Sequence, residues 1–205
     1  MKNKSHSMVT VVLAAGASKR MGEPKQLLNW GKSTLLEHTI NTVLQLDSDE
    51  VIVVLGANFE LVKTKISNYP ITILNNLFWE VGLGKSIACA VEYVNKNSPE
   101  VDAVMIVLAD QPFIDSSHLK QLSRKFILNN KQIIATSYKE GKNGVPVIFD
   151  KNYFKELMIL ETDDGAKHLL KRYSESIEVL KPLSENLDID SKSDYNYLIK
   201  EYFKK

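Results

Sequence analysis

A chain of 205 residues with 44% hydrophobic and 25% charged residues can bury one substantial core, which excludes a disordered or fibrous protein and fits a single domain over residues 1–205. The formal net charge of +1, with lysines and arginines spread along the chain, argues against a nucleic-acid protein that binds through a broad basic face, so phosphate binding is expected to be local. The one cysteine, Cys89, excludes an internal disulfide and a multi-cysteine zinc site and suits a reducing, cytoplasmic setting.

In chain order, residues 1–7 read as a disordered N-terminal tail. Lys2 and Lys4 followed by Met8–Ala15 imitate a secretory signal, but the apolar run is short and serves better as a first strand entering a Gly-containing loop. No stretch approaches the ~20 apolar residues of a membrane span. Apolar, β-rich runs at Val9–Leu13, Val51–Leu55, Ile71–Leu74, Val104–Leu108 and Ile133–Ala135 alternate with segments of helical period, such as Leu35, Leu36, Thr39, Ile40, Val43 and Leu44. Continuous rather than alternating apolar strands imply burial on both faces. The expected architecture is therefore a three-layer αβα, Rossmann-like fold with a mostly parallel sheet and ligands at the carboxyl ends of its strands. Further strands at Val145–Phe149, Ile177–Leu180 and Leu187–Ile189 break the alternation, so some antiparallel pairing is expected in the second half. Thr34 with Glu37 predicts a capping box, Asp115 or Ser116 a cap for a helix through Leu128, and Asp163 or Asp164 a cap for Gly165–Tyr173; a last helix is expected near Ser193–Phe203.

The most informative segment follows the first strand: Leu13-Ala14-Ala15-Gly16-Ala17-Ser18-Lys19-Arg20-Met21-Gly22-Glu23-Pro24-Lys25. Small residues at 14–17 let the backbone approach a flat base and phosphates, exposing N–H groups as an anion nest. Arg20 suits bidentate capture of phosphate oxygens, and Lys25 supplies a compact positive charge. Gly84-Lys85-Ser86 imitates the end of a P-loop, but the required earlier glycine position is Trp79 and no strand leads straight into it, so an ATPase is not indicated.

This segment resembles the signature of the MobA-like nucleotidyltransferases, especially the molybdenum-cofactor cytidylyltransferase branch. The likeness continues through Asn75-Asn76, Gly82–Ile87, Leu108-Ala109-Asp110-Gln111-Pro112, Gly144–Phe149, Asp164–Leu170 and Asp188-Ile189-Asp190-Ser191. The last block departs from the family pattern at Ser191-Lys192-Ser193-Asp194, where Thr-Pro-Glu-Asp is usual, which concerns the geometry of that turn rather than the carboxylates. The resemblance implies an NTP-dependent transferase whose nucleotide meets Leu13, Ala14, Ala15, Gly16, Ala17, Ser18, Arg20, Lys25, Asn75, Gly84 and Ser86. Catalytic roles fall to Lys25, Arg20 and Asp110. Ala15-Gly16 matches the cytidylyltransferase form of the loop, so CTP is expected over GTP.

Asp110 should emerge at the carboxyl edge of its strand, and Asp188 and Asp190, two apart on an extended segment, should share one face. Three carboxylates would then converge, and Mg²⁺ takes one or two carboxylates together with water and phosphate oxygens. His6, His38, His118 and His168 show no shared ligand spacing. The expected reaction is attack by an acceptor phosphate on the α-phosphorus of the NTP with release of pyrophosphate. The nearest branch implies molybdopterin as acceptor and a molybdoenzyme as eventual partner. Methylerythritol phosphate, a sugar phosphate, or a non-catalytic role in cofactor maturation are the alternatives.

Overall fold

A computed structural model describes residues 6–138, 142–182 and 187–203. Its main sheet runs β5-β4-β1-β6-β8-β7-β9, with β1 Met8–Ala14, β4 Glu50–Leu55, β5 Thr72–Asn75, β6 Ala103–Leu108, β7 Ile133–Ser137, β8 Asn143–Asp150 and β9 Ile177–Leu180. β5, β4, β1 and β6 pair in parallel, as do β7 and β9, whereas β8 is antiparallel to both its neighbours. One reversed strand therefore accounts for the mixed pairing expected in the second half. A small hairpin of β2 Asn29–Trp30 and β3 Ser33–Thr34 lies outside the sheet.

The strand residues divide between two cores. Val9, Val11 and Leu13 of β1 join one cluster with Ile87, Val91 and Val94 of helix α3 (Leu83–Asn97), Leu157 of α5 (Phe154–Met158) and Leu169 of α6 (Lys167–Arg172). Met8, Val12 and Ala14 face the other, with Leu36 and Ile40 of α1 (Leu35–Val43), Val62 and Ile66 of α2 (Phe59–Ile66), and Leu119 and Leu122 of α4 (Ser116–Lys125). Burial on both faces is the reason the strands read as unbroken apolar runs. Helices on each side of a mostly parallel sheet make the expected αβα, Rossmann-like fold.

A third cluster fastens the last helix, α7 (Lys192–Phe203), to the segment following the first loop. Met21, Leu28, Trp30, Leu35, Ile189 and Leu198 pack together, and Trp30 meets Phe203 edge to face with ring centroids 5.1 Å apart.

The Thr34–Glu37 capping box forms as expected, and Asp115 caps α4 through the His118 amide. Three expectations are corrected. Helix α4 ends at Lys125, and Phe126 turns to extended backbone to bury its ring. Neither Asp163 nor Asp164 caps α6, which begins at Lys167 with no side-chain cap. Leu187–Ile189 is irregular rather than a strand, because Ile189 points into the third cluster instead of entering the sheet. Residues 1–5 of the expected tail lie outside the described residues, while the Ser7 amide donates to Asp102 at 3.0 Å. Among the described residues no helix is long and apolar enough to cross a membrane.

Candidate active site

β1 lies between β4 and β6 at the middle of the parallel strands, where ligands gather at carboxyl ends in open α/β sheets. The loop leaving β1 is tied to both neighbours: the Ala57 amide donates to the Ala15 carbonyl at 3.0 Å and the Ala109 amide to the Leu13 carbonyl at 3.2 Å. Gln26, 2% exposed, braces it from behind by donating to the carbonyls of Ala14 and Gly16, both at 2.8 Å. Ser18 turns through a positive φ of 55°, and its hydroxyl accepts from the Lys25 amide at 3.0 Å. The loop thus folds back on itself and bounds a cavity of about 590 Å³, within the range of small-molecule sites.

Of the residues implied for the nucleotide, Leu13, Ala14, Ala15, Gly16, Ala17, Ser18, Lys25 and Ser86 line this cavity, as does Asp110. Arg20 does not. It stands on the rim with its side chain 73% exposed, 3.4 Å from Asp190. Asn75 ends β5 as an exposed residue, and its buried neighbour Asn76 is the one that reaches a cavity residue, donating its amide to the Ser86 hydroxyl at 3.0 Å. Ser86 is 2% exposed and can direct its own O–H elsewhere. Gly84 is also off the cavity: a Cβ there would stand 2.7 Å from the Thr162 carbonyl oxygen, so its lack of a side chain serves packing. Gln26, Trp79, Gly82 and Asp163 line the cavity without having been singled out as site residues in the sequence.

The charged centre is a chain of ion pairs. Lys25 Nζ binds Asp110 Oδ2 and lies 3.9 Å from Asp190 Oδ1. The Ile189 amide donates to the Asp110 carbonyl at 3.0 Å, bringing the 188–190 segment to the edge of β6. Gln111 donates to Asp188 Oδ1 at 3.0 Å. Desolvation pushes the Asp188 carboxyl above the usual carboxylate range; the hydrogen bond from Gln111 opposes this, the charges of Asp110 and Asp190 add to it, and Lys25 counters them.

The expected convergence of Asp110, Asp188 and Asp190 is corrected in part: among the described residues no group of three His, Cys, Asp or Glu side chains forms a ready metal-binding cluster. The irregular backbone at 187–190 does not impose the strand alternation that would have set Asp188 beside Asp190. A smaller set remains suited to a hard cation. Asp110 Oδ1 is buried with no hydrogen-bond partner, an arrangement that costs free energy unless something positive arrives. Magnesium needs only one or two carboxylates when phosphates and water complete its shell, so the donors fit. At Ser191–Asp194 the Ser191 hydroxyl accepts from the Asp194 amide at 3.2 Å and Asp194 accepts from the Ser191 amide at 2.8 Å, a reciprocal cap for α7.

The sequence profile of the MobA-like NTP transferase domain matches residues 10–177, which include most of β1, its loop, α3 and Asp110. The chain belongs to this family. It is 38% identical over 104 residues to nicotine blue oxidoreductase of Paenarthrobacter nicotinovorans, covering 50% of this chain and 48% of the relative. To the bifunctional protein GlmU of Francisella philomiragia it is 30% identical over 161 residues, 78% of this chain and 34% of the relative. The chain thus spans about half the length of the first of these curated relatives and about a third of the second. Among solved structures it is similar to an Rv0371c homologue from Mycobacterium sp. strain JC1, at 29% identity with a TM-score of 0.80 and coverage of 95% of this chain and 96% of that one.

Proposed function

We propose that this MobA-like chain transfers the NMP part of an NTP, CTP by preference, to a phosphorylated small molecule, with pyrophosphate as the other product. The observation that carries this reading is the Lys25–Asp110 pair at the base of the small-residue cavity, with the second oxygen of Asp110 buried and unpartnered. An acceptor phosphate oxygen forms the new bond to the α-phosphorus as the bond to the β-phosphate bridging oxygen breaks. The acceptor is already an anion, so no protein nucleophile or general base is needed. The chain's work is alignment and charge neutralisation. Backbone N–H groups of the Ala15–Ser18 loop offer donors to phosphate oxygens. Lys25 supplies positive charge near the reacting phosphate, and Arg20 can swing from the rim onto the outer phosphates. Asp110 and Asp190, both reached by Lys25, would hold Mg²⁺, which would supply further charge neutralisation when bound.

CTP preference is supported by the Ala15-Gly16 form of the loop, and molybdopterin as acceptor by the blocks at Gly144–Phe149 and Asp164–Leu170. Delivery to a molybdoenzyme would follow from that acceptor. A second reading, binding of a cofactor or redox substrate without transfer, is favoured by the 38% identity over half the chain to a protein named as an oxidoreductase. Calorimetric titration with CTP and GTP at fixed magnesium tests the nucleotide reading. Tighter CTP binding is expected, GTP binding more tightly overturns the base assignment, and binding of neither nucleotide overturns the transferase.

A further inference from the structure

The cavity wall is not uniformly positive. Lys19 and Lys25 line it from the β1 side, but Glu80, on the 3-10 turn Trp79–Val81, and Asp163, on the loop before α6, line it as well. Neither carboxylate makes a hydrogen bond or ion pair among the described residues. Both side chains are exposed to solvent, and Asp163 does not serve as a cap, since α6 starts at Lys167 without a side-chain cap.

Asp163 is nonetheless held firmly. A Cβ on Gly82 would lie 2.5 Å from the Asp163 Cα, and one on Gly165 would lie 2.9 Å from Leu83 Cδ2, so the two segments are closely packed, with backbone against backbone at Gly82. The Gly84 amide donates to the Thr162 carbonyl at 2.9 Å, and Lys85 pairs with Glu161 at 3.0 Å. The start of α3 and the loop 161–165 form one clamp, and it fixes Asp163 on the cavity wall.

Fixed carboxylates repel phosphates, so in a cavity that takes a polyphosphate they belong beside its uncharged end, where ring N–H groups are the donors they can accept. We propose that Asp163, assisted by Glu80, is a specificity-determining residue that accepts a hydrogen bond from the exocyclic amine of a heterocyclic ring bound in this cavity. The inference rests on the nucleotidyltransferase reading. The ring is either the cytosine of the nucleotide or an aminopyrimidine ring in the acceptor, which present the same chemistry. A carbonyl oxygen in place of the amine meets the carboxylate lone pairs directly and is rejected.

The test uses the full chain at fixed magnesium, comparing wild type with Asp163→Asn, which keeps shape and removes charge. CTP and UTP form the first ligand pair, amine against carbonyl at ring position 4; 6-hydroxymethylpterin and its 2-oxo (lumazine) counterpart form the second. Wild type is expected to favour the amine in one pair by roughly 10-fold or more, the scale of a hydrogen bond to a charged group, and Asp163→Asn to bring that ratio near one. Collapse of the CTP:UTP ratio assigns Asp163 to the nucleobase, and collapse of the pteridine ratio assigns it to the acceptor. Unchanged ratios in both pairs for a folded variant, or no amine preference in wild type, overturn the proposal while leaving the transferase standing. Binding of no nucleotide by wild type overturns both. Asp163→Ser carries the same comparison if Asp163→Asn does not fold.

Discussion

Lys25 holds Asp110 at close range while both side chains are largely withdrawn from solvent, at 21% and 17% exposure. Removing either leaves its partner's charge poorly solvated, so each substitution affects stability as well as chemistry. Asp110→Asn is expected to lower turnover by about 10²–10³ while the fold persists, because the residue lies beyond the end of β6 and not in either core. Lys25→Ala should depress kcat more than nucleotide affinity, whereas Arg20→Ala, on the exposed rim, should weaken triphosphate binding. Single-turnover kinetics with separately measured affinities separates these, and a Lys25→Ala defect confined to affinity would remove it from transition-state stabilisation. Gln26→Ala removes two hydrogen bonds to loop carbonyls and is expected to cost roughly 1–3 kcal/mol in a denaturant melt, together with nucleotide affinity. That Lys25 and Asp110 line one cavity was legible because each is a charged residue in a segment that follows a strand. Gln26 and Asn76 were not, since a neutral amide gains its role only from which carbonyl or hydroxyl the folded loop brings to it.

At the scale of elements, the central strands β1, β4 and β6 were legible because burial on both faces writes a nearly unbroken apolar run into each. Leu187–Ile189 misled because one apolar residue, Ile189, serves the small cluster under α7, and periodicity does not distinguish that from a strand. Close packing between elements left only glycines as its trace. A Cβ on Gly56, which follows β4, would stand 2.4 Å from Trp79 Cβ and 2.8 Å from the Ala15 carbonyl oxygen. Gly56→Ala should therefore push the 79–81 turn off the β1 loop, costing about 1–3 kcal/mol and weakening nucleotide binding. Full nucleotide affinity in that variant would show that the two walls are not mutually positioned. Helix α4 carries a buried histidine with a different consequence. His118 Nε2 lies 3.0 Å from Thr136 Oγ1, whose own proton goes to the Pro146 carbonyl at 2.8 Å, so Nε2–H is the donor to Thr136. Burial lowers the His118 pKa, opposed by Asp115. The unfolded chain then binds the proton more readily, so stability should fall as pH drops below about 6.5, the ordinary histidine value, and be unaffected by His118 above it. Melting temperatures of wild type and His118→Gln across that window check the sign: the wild-type loss on acidification should exceed that of the variant.

Across the whole molecule, the sheet order places β1 and β6 side by side, and that adjacency brings a loop near residue 16 to an aspartate at 110 and then, through the Ile189 amide, to the segment at 190. Alternation of strands and helices revealed the layers, but not that β8 inserts antiparallel between β6 and β7, because strand direction leaves little mark on an apolar run. The clamp between α3 and the loop before α6 was equally hidden, since its members lie about eighty residues apart and meet through backbone. The most direct measurement of the account is pyrophosphate release from CTP with magnesium and a molybdopterin acceptor, run beside Asp110→Asn. The account predicts pyrophosphate and cytidylylated acceptor in equal amounts from the wild type and a loss of about 10²-fold or more in the variant. Equal rates in the two proteins, or release that does not depend on any acceptor phosphate, would contradict it.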